Sequence, residues 1–499
     1  MKKKIRKNIF HLSILSLVIA GTLTSCSDFL NVNTNPTAQK NASIPLVLTA
    51  SQGSLAFYVG SDFYLYSSIF TQQSCGQGSS TQTRFYDQYI LTNADVNNAF
   101  TSYYAGTLAD LDYIKKNTYS QGNPQYGGIA KLLQAYTYGI LVDMWGALPY
   151  VSAMKGVANP QPQYDSSKTI YDSLFVLIDK GIADLNKTNT RTIAAEDLIY
   201  SGNISKWVKF GNTLKLRLAL HYAKVDNGTM LNTVISAGGP FMAANTDNFQ
   251  LTFDNVTNRQ NPIHQFELYR ANYDFPGNFL VNMMNTKNDP RRPFYFTSYP
   301  AGSAPYTTTG TYKGAVSTDA TGVQYSRMHT YMRGNMLSDN GTRTGSGLNA
   351  TSLTYTGMAP QRMLTFAEFN FIMAEAVLVY GVTAPQTADQ YYQAGVTASM
   401  QDAGVSAANI STYIGALAPV VLQTLIEEKY VALYGVPVEP WSDWRRTSFP
   451  SIAVSPSAAL VGNNTIPRIL VYPLSEQQTN SKNIPSRASI FVKGVFWDN

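Results

Sequence analysis

Apolar residues along this chain recur with a helical period in several long segments. Ile129, Leu132, Leu133, Tyr136 and Ile140 lie on one face of a helix that should stop near Trp145-Gly146, before Pro149. Ile170, Leu174, Leu177, Ile178, Ile182 and Leu185 form a second stripe, preceded by Thr169 and Asp172 at the spacing of a capping box. Trp207, Phe210, Leu214, Leu218 and His221 form a third, and amphipathic segments follow at 364–380, 388–403 and 420–435. Ala130, Gly139, Gly211 and Ala374 interrupt these stripes with small residues that would let neighbouring helices approach closely. The pattern predicts a mainly α protein of paired antiparallel helices.

Between about 226 and 362 the pattern changes to Gly, Asn, Thr, Pro and Tyr with few helical runs, as in "YPAGSAPYTTTGTYKGAVSTDATGVQYSRMHTYMRGN". A disordered linker would be charged and poor in aromatic residues. This region therefore reads as ordered loops with short strands, carried on a helical scaffold of about 44–225 and 363–499. Loops on a rigid scaffold are the usual place for recognition.

The first residues carry a different signal. Lys2, Lys3, Lys4, Arg6 and Lys7 precede an apolar run from Ile9 to Gly21 and then small residues, the layout of a secretory signal peptide over residues 1–25. The run is about 13 residues, against the ~20 a helix needs to cross a bilayer. Leu23-Thr24-Ser25-Cys26 resembles a bacterial lipobox, which makes Cys26 the acylated first residue of the mature chain. More than one acyl chain gives stable attachment. Residues 26–43 then read as a polar lipidated tether, and 44–499 as a single domain.

Composition changes the picture in two ways. Removal of residues 1–25 takes away five of the 37 basic residues, leaving 32 against 31 acidic, so the formal charge of +6 belongs to the signal. Nothing points to nucleic acid as a partner. Charged residues are 14% of the chain, against a typical ~25%, while tyrosine numbers 33. An uncharged, polar and aromatic surface suits neutral hydroxylated ligands, because a tyrosine offers an apolar face and a hydrogen-bonding edge. With Cys26 acylated, Cys75 has no disulfide partner in the chain.

Candidate chemistry is sparse. His11 leaves with the signal, and His221, His264 and His329 lack the spacing of a zinc site, so no metal and no cofactor is expected. No G-x-S-x-G elbow, P-loop or dinucleotide fingerprint occurs in a suitable context. Glycoside hydrolysis needs only two carboxylates, which keeps a surface glycoside hydrolase as one alternative reading; a helical-repeat adaptor for other proteins is another. Glu439, Asp443, Arg445 and Arg446, beside Trp441 and Trp444, read as a helix end held by carboxylate–guanidinium pairs with indoles packed over them. Glu368 and Glu375, seven apart on one helix, read as structural hydrogen-bonding groups.

Seven phrases in order resemble the SusD/RagB family of Bacteroidetes outer-membrane lipoproteins, in its SusD-like branch: "CSDFLNVNTNP" (26–36), "LVDMWGALPYVSA" (141–153), "WVKFGNTLKLRLAL" (207–220), "LTFAEFNFIMAEAVLVYG" (364–381), "YYQAGVTASM" (391–400), "EEKYVALYGVPVEPWSDWRRTSFP" (427–450) and "IPRILVYPLSEQQTN" (466–480). The middle region matches least, apart from "NDPRRPFYF" at 288–296. The resemblance implies a tetratricopeptide-like stacking of the helix pairs. It also implies a cell-surface binding protein without catalysis, covering a SusC-like TonB-dependent transporter like a lid and delivering an oligosaccharide or, in some members, a peptide.

The residues themselves suggest where such a ligand would sit. The segment 72–89 carries Arg84, Phe85, Tyr86 and Tyr89 among amides and glycines, and the loops around 264–330 carry Tyr269, Tyr273, Phe275, Tyr312 and Tyr325. Rings, amides and guanidinium match the C–H faces and hydroxyls of a sugar.

Overall fold

Helix α1 (Ile44–Tyr58) runs into a π-helical turn, Val59–Phe63, and then α2 (Tyr64–Phe70), whose residues are all buried. A short strand β1 (Ser74–Gly76) and helix α3 (Thr81–Asp87) follow, then α4 (Leu108–Asn117). These belong to a computed structural model that describes residues 42–77, 81–319 and 324–498. The chain divides into two units, Met1–Ser43 and Ile44–Asn499. The signal segment and Cys26 lie outside the described residues.

The centre of the scaffold is α5 (Pro124–Trp145), buried along its length except at Gln125. It begins on a proline, whose missing N–H costs nothing at a helix start. It ends where expected, at Gly146 with φ 73°, a conformation that favours glycine. Helix α6 (Ser167–Leu185) packs antiparallel to it. The N-cap of α6 is Ser166, whose hydroxyl accepts from Thr169 N at 3.2 Å, so the expected Thr169/Asp172 box is one turn too late. Helices α5 and α6 approach closely at Gly128, where a Cβ would lie 2.8 Å from the Gly181 carbonyl oxygen. Helix α7 (Ile204–Asp226), capped by Asn203, packs in turn on α6.

The middle region holds more helix than its composition suggests. Besides strand β2 (Phe249–Thr252), it contains Thr229–Ser236, α8 (Pro262–Tyr269), strand β3 (Asp274–Pro276) and α9 (Asn278–Thr286). These helices are only eight or nine residues long, too short for a repeating apolar stripe to stand out. One of them has a side-chain cap: Asn261 accepts from Ile263 N and His264 N at the start of α8. The strands of the described residues pair two by two, and two of the pairs join segments distant in sequence. Strand β1 pairs antiparallel with β3, and β2 with β4 (Pro360–Leu364).

The C-terminal half returns to helix pairs. Leu364, expected to open a helix, instead ends β4, and α10 (Phe366–Tyr380) starts after the Thr365 N-cap. Helix α11 (Ala388–Ala403) has its expected bounds and a Thr387/Gln390 capping box. Helix α12 (Leu422–Ala432) is shorter than expected, and α13 (Glu439–Thr447) follows. The architecture is therefore mainly α, with stacked antiparallel helix pairs and small two-stranded sheets.

A buried chain of charges ties α7, α10, α12 and α13 together. Arg217 grips Glu368 through two nitrogens at 2.6 and 2.5 Å, His221 lies 3.2 Å from Glu439, and Lys429 bridges Glu439 and Asp443 at 3.1 and 2.9 Å. Arg446 donates to Asp443 at 2.7 Å and to both oxygens of Glu375. Burial opposes ionisation of Glu439, but His221, Lys429 and Arg217 outweigh it and hold its carboxyl well below the usual range. Arg445 departs from the expected pairing: it donates to the carbonyls of Asp143 and Arg468 and lies flat on Trp441 at 3.9 Å.

Candidate functional site

The β1–β3 pair joins the two segments that the sequence offers for recognition. Cys75 lies opposite Phe275, and Ser74 opposite Pro276. The join extends at both ends, with Gln77 N donating to Tyr273 O at 3.2 Å and Gly277 N to Gln73 O at 2.9 Å. Loop 315–317 closes over the other side, where Asn278 N donates to Ala315 O at 2.9 Å and Ala315 N to Pro276 O at 2.8 Å.

Beside this junction lies an open cleft of about 490 Å³. Its walls come chiefly from the β1 strand, the outer face of α9, loop 315–317 and the segment 450–456, with Asp87 and Glu427 reaching in from α3 and from the helix Leu422–Ala432. Helix α9 explains the character of the cleft. Leu280, Val281 and Met284 point inward, so the opposite face presents Asn278 and Asn282 alongside Phe279 and Met283, each pair four residues apart. Carboxamides and apolar groups thus alternate on one surface, with Val316, Pro450 and Pro456 across from them. Phe279 is held edge-on by Tyr430, with ring centroids 5.9 Å apart.

Three charged side chains reach the cleft, and each is engaged. Asp87 accepts from Gly76 N at 3.0 Å and from the hydroxyls of Ser457, at 3.1 Å, and Ser455. Burial raises its pKa despite these donors. Lys287 lies 3.2 Å from Glu427 and 3.0 Å from Glu428. Burial works against its charge, but the two glutamates prevail and raise its pKa. The Cys75 thiol, also in the wall, is pushed well up by burial and by Asp87. It is a buried, inert thiol. Among the described residues no three His, Cys, Asp or Glu side chains converge as a metal site would require.

The nine residues singled out from the sequence fall into three groups, and none of them lines the cleft. Tyr86, Tyr89, Phe275 and Tyr325 are interior: Tyr86 packs edge-on to Tyr66 at 5.1 Å, Tyr89 on Phe70 at 6.0 Å, and Phe275 on Tyr325 at 5.9 Å. Segment 72–89 was expected to display its side chains, but within it α3 is a helix and buries one face. Arg84, Phe85 and Tyr269 are exposed, Phe85 at 47% and Tyr269 at 61%. Tyr273 and Tyr312 are half-buried under the guanidinium groups of Arg270 and Arg292, at 5.6 and 5.5 Å. The α9 residues escaped the sequence reading, although "GNFLVNMMNTK" carries their signal: apolar Phe279 and Met283 on what should be the polar face.

The chain is a helical scaffold with a partly apolar, amide-lined cleft whose charged groups are paired, built where distant loops are pinned together. Residues 40–473 match the SusD-like family described as starch-binding and associating with the outer membrane, and the chain belongs to that family. Solved structures share the fold. A SusD homologue from Bacteroides uniformis is 20% identical with a TM-score of 0.72, covering 91% of this chain and 99% of its own. A SusD/RagB family protein from Bacteroides thetaiotaomicron is 17% identical with a TM-score of 0.74, covering 92% and 99%. A chitin-binding SusD homologue from Flavobacterium johnsoniae is 20% identical with a TM-score of 0.73, also covering 92% and 99%. No curated protein matches the chain. No helix among the described residues is long and apolar enough to cross a membrane.

Proposed function

We propose that this protein is a cell-surface, lipid-anchored nutrient-binding protein that captures an oligosaccharide, or a peptide, and delivers it to a SusC-like TonB-dependent transporter in the outer membrane. The observation that carries this reading is the cleft at the β1–β3 junction, where Asn278, Asn282, Ser317 and Ser451 offer hydrogen bonds beside the Phe279 ring. Membership of a family described as starch-binding supports a glycan as the ligand. The ligand is bound without being cut: the two carboxylates in the cleft, Asp87 and Glu427, are both occupied by protein donors. Phe85 and Tyr269 are exposed aromatic groups outside the cleft lining.

The test uses the chain lacking residues 1–26 and a panel of soluble neutral oligosaccharides, read by calorimetry and by product analysis after long incubation. At least one should bind saturably, with a Kd of about 1 μM to 1 mM, or roughly −8 to −4 kcal/mol, and none should be cleaved. Phe279→Ala should weaken that binding by about 0.5–1.5 kcal/mol beyond the lost contact area. Absence of binding to every neutral oligosaccharide and peptide tried, or cleavage that disappears on replacing Asp87 or Glu427, would sink the proposal.

A further inference from the structure

The cleft has one cation in its wall, and the protein does not leave it free. Lys287 closes the end of α9, with its side chain 26% exposed, and Glu427 beside it is 18% exposed on the first part of α12. Glu428, the second carboxylate near Lys287, is fully buried and shared: it accepts from Lys287 Nζ at 3.0 Å, from Arg291 Nη2 at 2.8 Å and from Tyr413 Oη at 2.7 Å. Arg291 in turn is held by Asp289 at 2.5 Å. At this corner Lys287 and Arg291 face Glu427, Glu428 and Asp289, three carboxylates against two cations. Gln423 also donates to Glu427 at 2.9 Å, which fixes its carboxylate in place. At the other end of the cleft the charged group is Asp87.

We infer that Glu427 is a specificity-determining residue: as the solvent-facing one of the two carboxylates on Lys287, it makes the cleft select uncharged ligands and reject anionic saccharides such as uronates. This rests on the cleft being the ligand site. An acidic sugar entering it meets two carboxylates and no unpaired ammonium, so its own charge loses water without gaining a partner. A neutral sugar pays no such penalty and finds amides and hydroxyls. Glu427 is not needed for contact with the ligand; it acts through Lys287, and replacing it should change which ligands bind rather than whether the protein folds.

The inference is read with tetragalacturonate as the anionic probe, on the chain lacking residues 1–26. The wild-type protein should show no saturable binding. Glu427→Gln keeps the shape and the hydrogen-bonding capacity but leaves Lys287 with the buried Glu428 alone of its two carboxylates, and should bind the probe at least about tenfold more tightly than wild type. The gain should vanish in Glu427→Gln combined with Lys287→Met, and should fall as salt is raised from roughly 50 to roughly 500 mM. Wild type binding tetragalacturonate as tightly as Glu427→Gln would overturn the inference, as would a variant that stays folded and gains nothing, or a gain that survives loss of Lys287. These outcomes are separate from those that sink the proposed function, which are read from neutral oligosaccharides and peptides on the wild-type chain.

Discussion

Ser74 donates its hydroxyl to Asp274 Oδ2 at 3.2 Å across 200 residues of chain, while Asp274 Oδ1, equally buried, has no hydrogen-bond partner among the described residues. The contact ties β1 to β3 directly beside the cleft. It does so with a carboxyl that burial, aided by Glu267, holds well above its ordinary pKa of 3.8.

That shift makes a pH prediction for Asp274. The unfolded carboxyl ionises above about pH 4 while the folded one keeps its proton. The unfolded state then binds fewer protons, and the contribution of Asp274 to stability falls as pH rises from there. Asp274→Asn is neutral at every pH, so the Tm of the variant relative to wild type should climb between pH 4 and 7. A difference that stays flat across that range would mean the folded carboxyl is ionised.

His264 and His329 should give the opposite slope. Burial, with Arg333 close by, lowers them to about 3 and about 4, against 6.5 when unfolded. His264 Nδ1 accepts from Arg333 Nε at 3.2 Å, and His329 Nδ1 lies 2.7 Å from Tyr355 Oη. The unfolded state takes up protons first, so stability is lost as pH falls from 6.5 toward 4. His329→Gln should reduce that acid sensitivity, and an unchanged Tm-versus-pH slope would refute the assignment.

The Glu375–Arg446 pair between α10 and α13 is buried on both sides. Glu375→Ala leaves Arg446 short of a counter-charge and should cost about 3–5 kcal/mol in denaturant unfolding. Glu375→Leu together with Arg446→Met should cost clearly less than the two changes summed. Additive losses would show that the two residues act independently.

Two glycines on α5 should respond in opposite directions to alanine. At Gly128 the new methyl would lie 2.8 Å from the Gly181 carbonyl and 3.0 Å from Leu185, so Gly128→Ala should destabilise by about 1–3 kcal/mol. At Gly139 the nearest atom, in Leu218, is 3.5 Å away, an ordinary contact. Gly139→Ala should therefore gain up to about 1 kcal/mol from helix propensity. Thermal unfolding of the two variants distinguishes close helix packing from mere tolerance of small residues.

Cys26 carries the anchoring proposal. Cys26→Ala should give a protein that folds but no longer fractionates with membranes in its native host. Equal membrane retention would place the attachment elsewhere.

The sequence by itself determined the helical scaffold. A stripe such as Ile129–Ile140 repeats often enough to fix a face, and helix ends such as Thr387/Gln390 and Gly146 are chosen by local hydrogen bonding and φ alone. It also pointed to segments 72–89 and 264–330, which supply Gln72, Ser74 and the α9 face to the cleft proposed as the ligand site. Tertiary structure decided which of their side chains face out. Helix α3 spans seven residues and β3 three, too few for a period to show which face is buried. That choice was made by partners far away in the chain: Tyr66 and Phe70 took Tyr86 and Tyr89 inward, and the β1–β3 register turned Phe275 toward Tyr325. The cleft wall on α9 followed from the same cause, because Phe279 and Met283 are left at the surface only once Leu280, Val281 and Met284 have filled the core. Local rules set the elements; long-range burial, which no short window of sequence contains, set the site.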